Sequence, residues 1–156
     1  MARQYIHYRD DHFDLNKFNS VSGSDEFLNK PNGGFWASPI ETNWGWRDWC
    51  KANDFHLDRL EKSFRFTLRS KANVYHIHPV SYNSVFGLPL IKEPDINSGS
   101  LYLESWCYDW EKIAKLYDAV ELHHEEDHWL GRNLFRCWDC DSIVIFNPEI
   151  IREKKV

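Results

Sequence analysis

The sequence predicts one α+β domain over residues 1–156, and three observations lead there. At least six short segments alternate apolar and polar residues with the period of a strand. Two or three others repeat apolar residues at i, i+3, i+4 and i+7, the period of a helix. The two kinds of segment do not alternate regularly, which argues against the βαβ progression of a parallel α/β domain. The chain has no repeat or low-complexity tract, and 156 residues suffice to bury a core without disulfides.

"QYIHYR" (4–9) alternates as a strand, with Tyr5, His7 and Arg9 on one face and Ile6 and Tyr8 on the other. "SVSGSD" reads as a loop that ends in a short helix through Phe27 and Leu28. "GGFWASP" is a short strand entered through two glycines and closed by Pro39. "TNWGWRDWCKAN" places Trp46, Trp49, Cys50 and Asn53 at helical spacing, with Thr42 or Asn43 as cap. "KSFRFTLRS" (62–70) is the cleanest strand, Phe64, Phe66 and Leu68 inward and Arg65, Thr67 and Arg69 outward, and "NVYHIHP" is another.

Three prolines and two glycines make residues 79–99 a long irregular loop. "SLYLESWCY" alternates again. "DWEKIAKLY" (109–117) is a helix capped by Asp109, with Trp110, Ile113, Ala114 and Tyr117 on its apolar face. "DAVELH" and "DSIVIFN" close the chain as strands.

Nineteen basic residues against 24 acidic ones give a formal charge of −5, and the basic residues are scattered. That excludes the basic stripe a nucleic-acid backbone requires. No apolar run reaches the ~18 residues of a membrane span, and "MARQYIHYRDDH" is not a signal peptide. The expectation is a cytoplasmic protein that engages no membrane, with its four cysteines as thiols or ligands. The unusual feature is an aromatic fraction of 16%, with four of the eight tryptophans inside residues 33–50.

"DWEKIAKLYDAVELHH" followed by "WDCDSIVIFNPEII" resembles the tail of phage-associated and bacterial ADP-ribosyltransferase-like domains. The resemblance covers residues 108–151, with "YIHYR" and "GFWASP" in the place of the first two strands. It implies two small, mainly antiparallel sheets with a few flanking helices, and a cleft between the sheets that takes NAD. In such a site a first-strand His or Arg bonds the ribose or a phosphate, here His7 or Arg9. A second-strand aromatic and hydroxyl hold the nicotinamide end, here Trp36 and Ser38. A late carboxylate stabilises the oxocarbenium-like centre as nicotinamide leaves. The family pattern has Glu just before the last strand, where this chain has Asp141 and Ser142. Asp is one methylene shorter, and errors near 1 Å can cost ~100-fold in rate. Glu121 is a second candidate, because it points opposite Val120 and Leu122 and can face a cleft. Arg65, Arg69 and Arg9 are either solvent charges or a pyrophosphate clamp.

The aromatic residues divide. Trp46, Trp49, Trp106 and Trp110 read as core by burial preference, whereas Trp36 and Trp44 fit inner faces less well. "HHEEDHW" and "CWDC" place His124 and His128 at i, i+4 and Cys137 and Cys140 at C-x₂-C spacing. Without a helical pattern around the histidines or a second cysteine pair, no metal is expected. His76 and His78 share one strand face. The function expected is binding of NAD or a related nucleotide, with transfer of ADP-ribose to a protein or nucleic-acid acceptor if the chain is active. The alternatives are a non-catalytic phage-type interaction or inhibitor protein acting against host defence, and a carbohydrate-binding module.

Overall fold

In the computed structural model, which describes residues 2–94, 106–124, 134–135 and 137–153, seven of eleven strands form one hydrogen-bonded ladder. The strands are β1 (Gln4–Tyr8), β2 (Ser24–Asp25), β3 (Lys30–Pro31), β4 (Phe35–Pro39), β5 (Ser63–Leu68), β6 (Val74–Ile77), β7 (Leu90–Lys92), β8 (Cys107–Tyr108), β9 (Ala119–Leu122), β10 (Ser142–Ile145) and β11 (Ile151–Glu153). The helices are α1 (Trp46–Ala52), α2 (Tyr82–Phe86) and α3 (Trp110–Leu116). The ladder runs β11-β5-β1-β4-β10-β9-β6, and β2-β3 and β7-β8 are separate two-stranded pairs. Every pairing is antiparallel except β6 with β9.

The α+β class holds, and the expectation of two separate small sheets gives way to one seven-stranded ladder. Its two halves, β11-β5-β1 and β4-β10-β9-β6, join through β1 and β4, where only Tyr5↔Pro39 and Ile6↔Ser38 are in register. Pro39 lacks an N–H, which limits that seam.

Both sides of the central strands are covered. On one face Ile77, Val120, Leu122 and Val144 pack with Trp106, Tyr108, Trp110, Ile113, Phe135 and Trp138. On the other, Ala119, Ile143 and Ile145 pack with Tyr5, Ala37, Phe64 and Phe66. All four residues of β9 are buried, Glu121 among them, as two-sided burial of a strand requires.

Several boundaries differ from the sequence reading. β1 ends at Tyr8 because Arg9 takes a positive φ of 96°, so it leaves the strand alternation. Phe27 and Leu28 sit in the turn between β2 and β3, with their N–H groups on Asp25 Oδ1. The expected loop 79–99 contains α2, whose Ser81 side chain accepts from Ser84 N–H, and β7. Of the strand expected over 100–108, Cys107 and Tyr108 are in β8, and the residues before Trp106 lie outside the described ones.

The cap of α1 is Gly45, not Thr42 or Asn43. Asp48 accepts the Gly45 N–H and Ser38 Oγ accepts the Trp46 N–H, at 2.9 and 3.0 Å. Trp46 and Trp49 are not core. They are half-buried and stack on each other at 5.2 Å, with Phe55 edge-on to both. Cys50 is the one residue of α1 that is fully enclosed.

Candidate functional site

Residues that alternate along a strand share a face, and register carries that face across the sheet. Ile6 and Tyr8 of β1, Trp36 and Ser38 of β4 and Ser142 of β10 therefore make one floor. Over it lies a cavity of about 300 Å³, walled by Trp46 of α1, Lys30 of β3 and the segment Trp138–Cys140. Trp36 meets Trp138 edge to face at 4.9 Å, and Lys30 Nζ lies 5.7 Å from the Trp36 ring centre. Trp138 is held from behind by its indole N–H on the Asn29 carbonyl, 3.1 Å, and by stacking on Trp110.

Local sequence explains why Trp36 stands there. Gly33 and Gly34 have φ of +108° and +82°, which glycine adopts without penalty. A Cβ on Gly33 would sit 2.4 Å from the Ser20 carbonyl oxygen. The glycines are thus a tight entry to β4. Buried Ser38 accepts the Trp46 N–H, so β4 itself pins the start of α1 over the cavity. Trp44 ties the opposite wall, its indole N–H donating to the Asp139 carbonyl at 3.0 Å.

A second cavity of about 290 Å³ shares Ile6, Tyr8, Ser38 and Trp46 with the first and adds Thr42, Arg47, Asp48 and Arg65. Burial pushes the Tyr8 phenol up from its ordinary pKa, while the Arg47 and Arg65 charges pull it down. One compartment is thus aromatic and the adjoining one carries two guanidinium groups. Planar rings stack on indoles, and guanidinium forks bind phosphate oxygens in pairs.

The sequence-predicted residues do not all gather here. Trp36 and Ser38 line the aromatic cavity together. His7 borders it, but its ring packs among Phe35 and Phe64 at 4.4 and 5.5 Å, with Nδ1 2.7 Å from the Trp36 carbonyl. Arg9 lies past the strand end and lines neither cavity, its N–H on the Lys62 carbonyl. Asp141 is engaged in structure: Thr42 Oγ1 donates to one oxygen and the His124 N–H to the other, both at 2.5 Å.

Glu121 faces away from this cavity. It pairs in register with Ile143, which pairs with Ala37, so it shares their face and not that of Trp36 and Ser142. Its carboxylate is fully buried. Tyr5 donates to Oε2 at 2.8 Å, and Arg3 Nη2 lies 2.6 Å from Oε1, giving that oxygen charge but no aligned hydrogen bond. Burial pushes the Glu121 carboxyl above its ordinary pKa, against the Tyr5 bond and the Arg3 charge, which lower it. Two imidazoles approach the same group, His76 Nδ1 at 3.7 Å and His123 Nε2 at 3.8 Å. Burial drives both below the ordinary histidine pKa, His123 to about 4.

The sequence reading missed Lys30, Arg47, Trp138 and Asp139. Trp138 and Asp139 stand inside the "CWDC" segment, whose cysteine spacing is its only local signal. The Cys140 thiol is pushed up to about 11 by burial and lies 3.4 Å from Ser142 Oγ. That disfavours the thiolate a metal needs. No disulfide joins the four cysteines, His128 is outside the described residues, and no described helix is long and apolar enough to cross a membrane. Compared with protein-family models, curated proteins and solved structures, the chain matches none.

Proposed function

We propose that the chain binds NAD or a related nucleotide across the two adjoining cavities. The observation that carries this reading is their continuity: an indole-lined compartment and an arginine-bearing one share Ile6, Tyr8, Ser38 and Trp46. A volume near 300 Å³ is the lower end of small-molecule sites and suits one ring with its ribose. The ring lies against Trp36 and Trp46, Ser38 and Ser142 border the sugar, and Arg47 and Arg65 meet the phosphates. The resemblance of the C-terminal third to ADP-ribosyltransferase-like domains supports the same ligand class.

The geometry favours binding over transfer. Ser142 lines the cavity where the resemblance calls for a carboxylate, Asp141 is bonded to Thr42 and His124, and Glu121 is buried on the opposite face. Asp139 is the carboxylic residue lining the aromatic compartment, and any cleavage of the N-glycosidic bond runs against it. The non-catalytic interaction protein is therefore the second reading.

Ligand at 100 times its dissociation constant stabilises a native state by about 2.7 kcal/mol. The expected outcome is a raised melting temperature with NAD and ADP-ribose and a smaller rise with nicotinamide. A melting curve unmoved by all three at millimolar concentration contradicts the proposal. Incubation with labelled NAD then separates the two readings: nicotinamide release lost in Asp139→Asn marks an enzyme, and binding without release marks a binding protein.

A further inference from the structure

On the face away from the nucleotide cavity, β6 and β9 run parallel with His76 opposite Glu121. The His123 N–H donates to the Ile77 carbonyl at 3.0 Å and carries the pairing one residue further. The segments His-x-His (76–78) and Glu-x-His (121–123) thus lie side by side, and alternation turns their chemistry-bearing members to one face. His76 Nδ1 and His123 Nε2 are 2.9 Å apart, and each is within 3.8 Å of a Glu121 oxygen.

From this convergence we infer a binding site for a divalent first-row transition ion, zinc being the best fit, with His76, Glu121 and His123 as ligands. The distances decide it. Donors placed about 2.0–2.2 Å from a tetrahedral ion stand about 3.3–3.6 Å from each other. The two ring nitrogens stand 2.9 Å apart and face different oxygens of Glu121, His76 toward Oε2 at 3.7 Å and His123 toward Oε1 at 3.8 Å, so rotation of the carboxylate and the rings brings the three donors onto one ion. All the candidate ligand atoms fall within 4.8 Å of one another. Glu121 Oε1 is fully enclosed without an aligned hydrogen-bond donor, and an ion meets that need more fully than a guanidinium at the rim. Two imidazoles and one carboxylate are a donor set typical of zinc and non-haem iron.

The remaining parts follow from the same chemistry. Tyr5, bonded to Glu121 Oε2, orients the carboxylate from outside the ion's own shell. Arg3 is the competitor: its guanidinium lies 2.6 Å from Glu121 Oε1 and its side chain is 39% exposed, so an ion that takes this oxygen displaces it toward solvent. The proton now between the two rings moves to an outer ring nitrogen, leaving both inner lone pairs on the metal. The three protein ligands leave further coordination positions to solvent, and the ion ties edge strand β6 to β9.

The test is calorimetric titration of zinc chloride into the chelator-washed full chain, followed by cobalt(II) substitution read by visible absorption. Saturation at one ion per chain is expected, with a cobalt band of low-coordinate type. His76→Ala and His123→Ala each weaken binding by about 100-fold or more, the top of the range for outer-shell changes alone. Both side chains reach solvent, so these variants keep the fold where Glu121→Gln risks it. Arg3→Ala tightens binding, and Cys137→Ser leaves it unchanged. Absence of saturable binding up to about millimolar zinc, or binding that survives the His76→Ala/His123→Ala double substitution, overturns the inference. Neither outcome touches the nucleotide proposal, which concerns the other face.

Discussion

Helices α1 and α3 are both seven residues long, and both begin with tryptophan, WRDWCKA and WEKIAKL. Each carries apolar residues at the same offsets, Trp46, Trp49 and Cys50 in one and Trp110, Ile113 and Ala114 in the other. In α3 both Trp110 and Ile113 are fully buried, and Trp110 stacks on Trp138 and meets Tyr108. In α1 only Cys50 is buried, while Trp46 and Trp49 stack on each other at the surface. The periodicity sets a helix's apolar stripe but not what lies opposite. α3 connects β8 to β9 and lies on the face that the central strands cover. α1 stands beyond the short β1–β4 seam, where Ser38 holds its first turn over an open cavity. One tryptophan at N1 builds the core, and the other builds a wall.

The largest expected effect tests that division directly. Trp110→Ala removes a fully buried indole, and such changes cost about 3–5 kcal/mol. Denaturant unfolding of this variant should show that loss, and near-equal stability of Trp110→Ala and Trp49→Ala would erase the contrast.

Next comes acid, which acts on the face behind the cavity. His123 is held at about 4 by burial, with His78, Arg3 and His76 adding to the shift, and burial also lowers His76. In the unfolded chain these rings titrate near 6.5, so as pH falls below that value the unfolded state takes protons the native state refuses. Stability is lost from about pH 6.5 down to about 4, by up to about 3 kcal/mol for His123. Glu121, its pKa raised by burial despite the Tyr5 bond, opposes this at the acid end. Unfolding midpoints measured at a series of pH values should fall through that window, and His123→Gln should flatten the fall. A profile unchanged by that substitution would remove His123 as the cause.

Gly34→Ala is expected to cost about 2 kcal/mol, since φ is +82° and the new Cβ would meet Val144 Cγ2 at 2.7 Å. Neutrality in a melting experiment would show that the entry to β4 can adapt. The smallest effect is at the surface. Trp49→Ala forfeits a half-buried stack on Trp46 and an edge contact with Phe55, about 1–2 kcal/mol.

Which elements could be read from the sequence follows from how many residues carry their signal. β4, β5, β9, β10 and α3 were legible, because alternation, a glycine entry or an Asp109 cap marks each over four or more residues. α2, β7 and β11 have five, three and three residues, too few for a period to show. In the candidate site, Trp36 and Ser38 were legible as neighbours on one face beyond a glycine turn. Glu121 was not. Alternation placed it opposite Val120 but could not reveal that Tyr5, Phe66 and Ile143 cover that second face as well. The meeting of His76 and His123 depends on a parallel pairing 47 residues apart in sequence, and no local pattern encodes it. Arg65 was legible as outward-facing, and its place in a cavity depends on Arg47 arriving from α1.

The central claim to test is that a flat ring and a phosphate are held in adjoining compartments. Titration of ADP-ribose and of nicotinamide, followed by tryptophan emission in the wild-type chain, Arg65→Ala and Trp46→Ala, separates those two parts. Saturable ADP-ribose binding is expected, weakened about tenfold or more by Arg65→Ala, the worth of a charged hydrogen bond, with nicotinamide unaffected. Trp46→Ala should weaken both ligands. ADP-ribose binding of equal strength in all three chains, or none up to about millimolar, would contradict it.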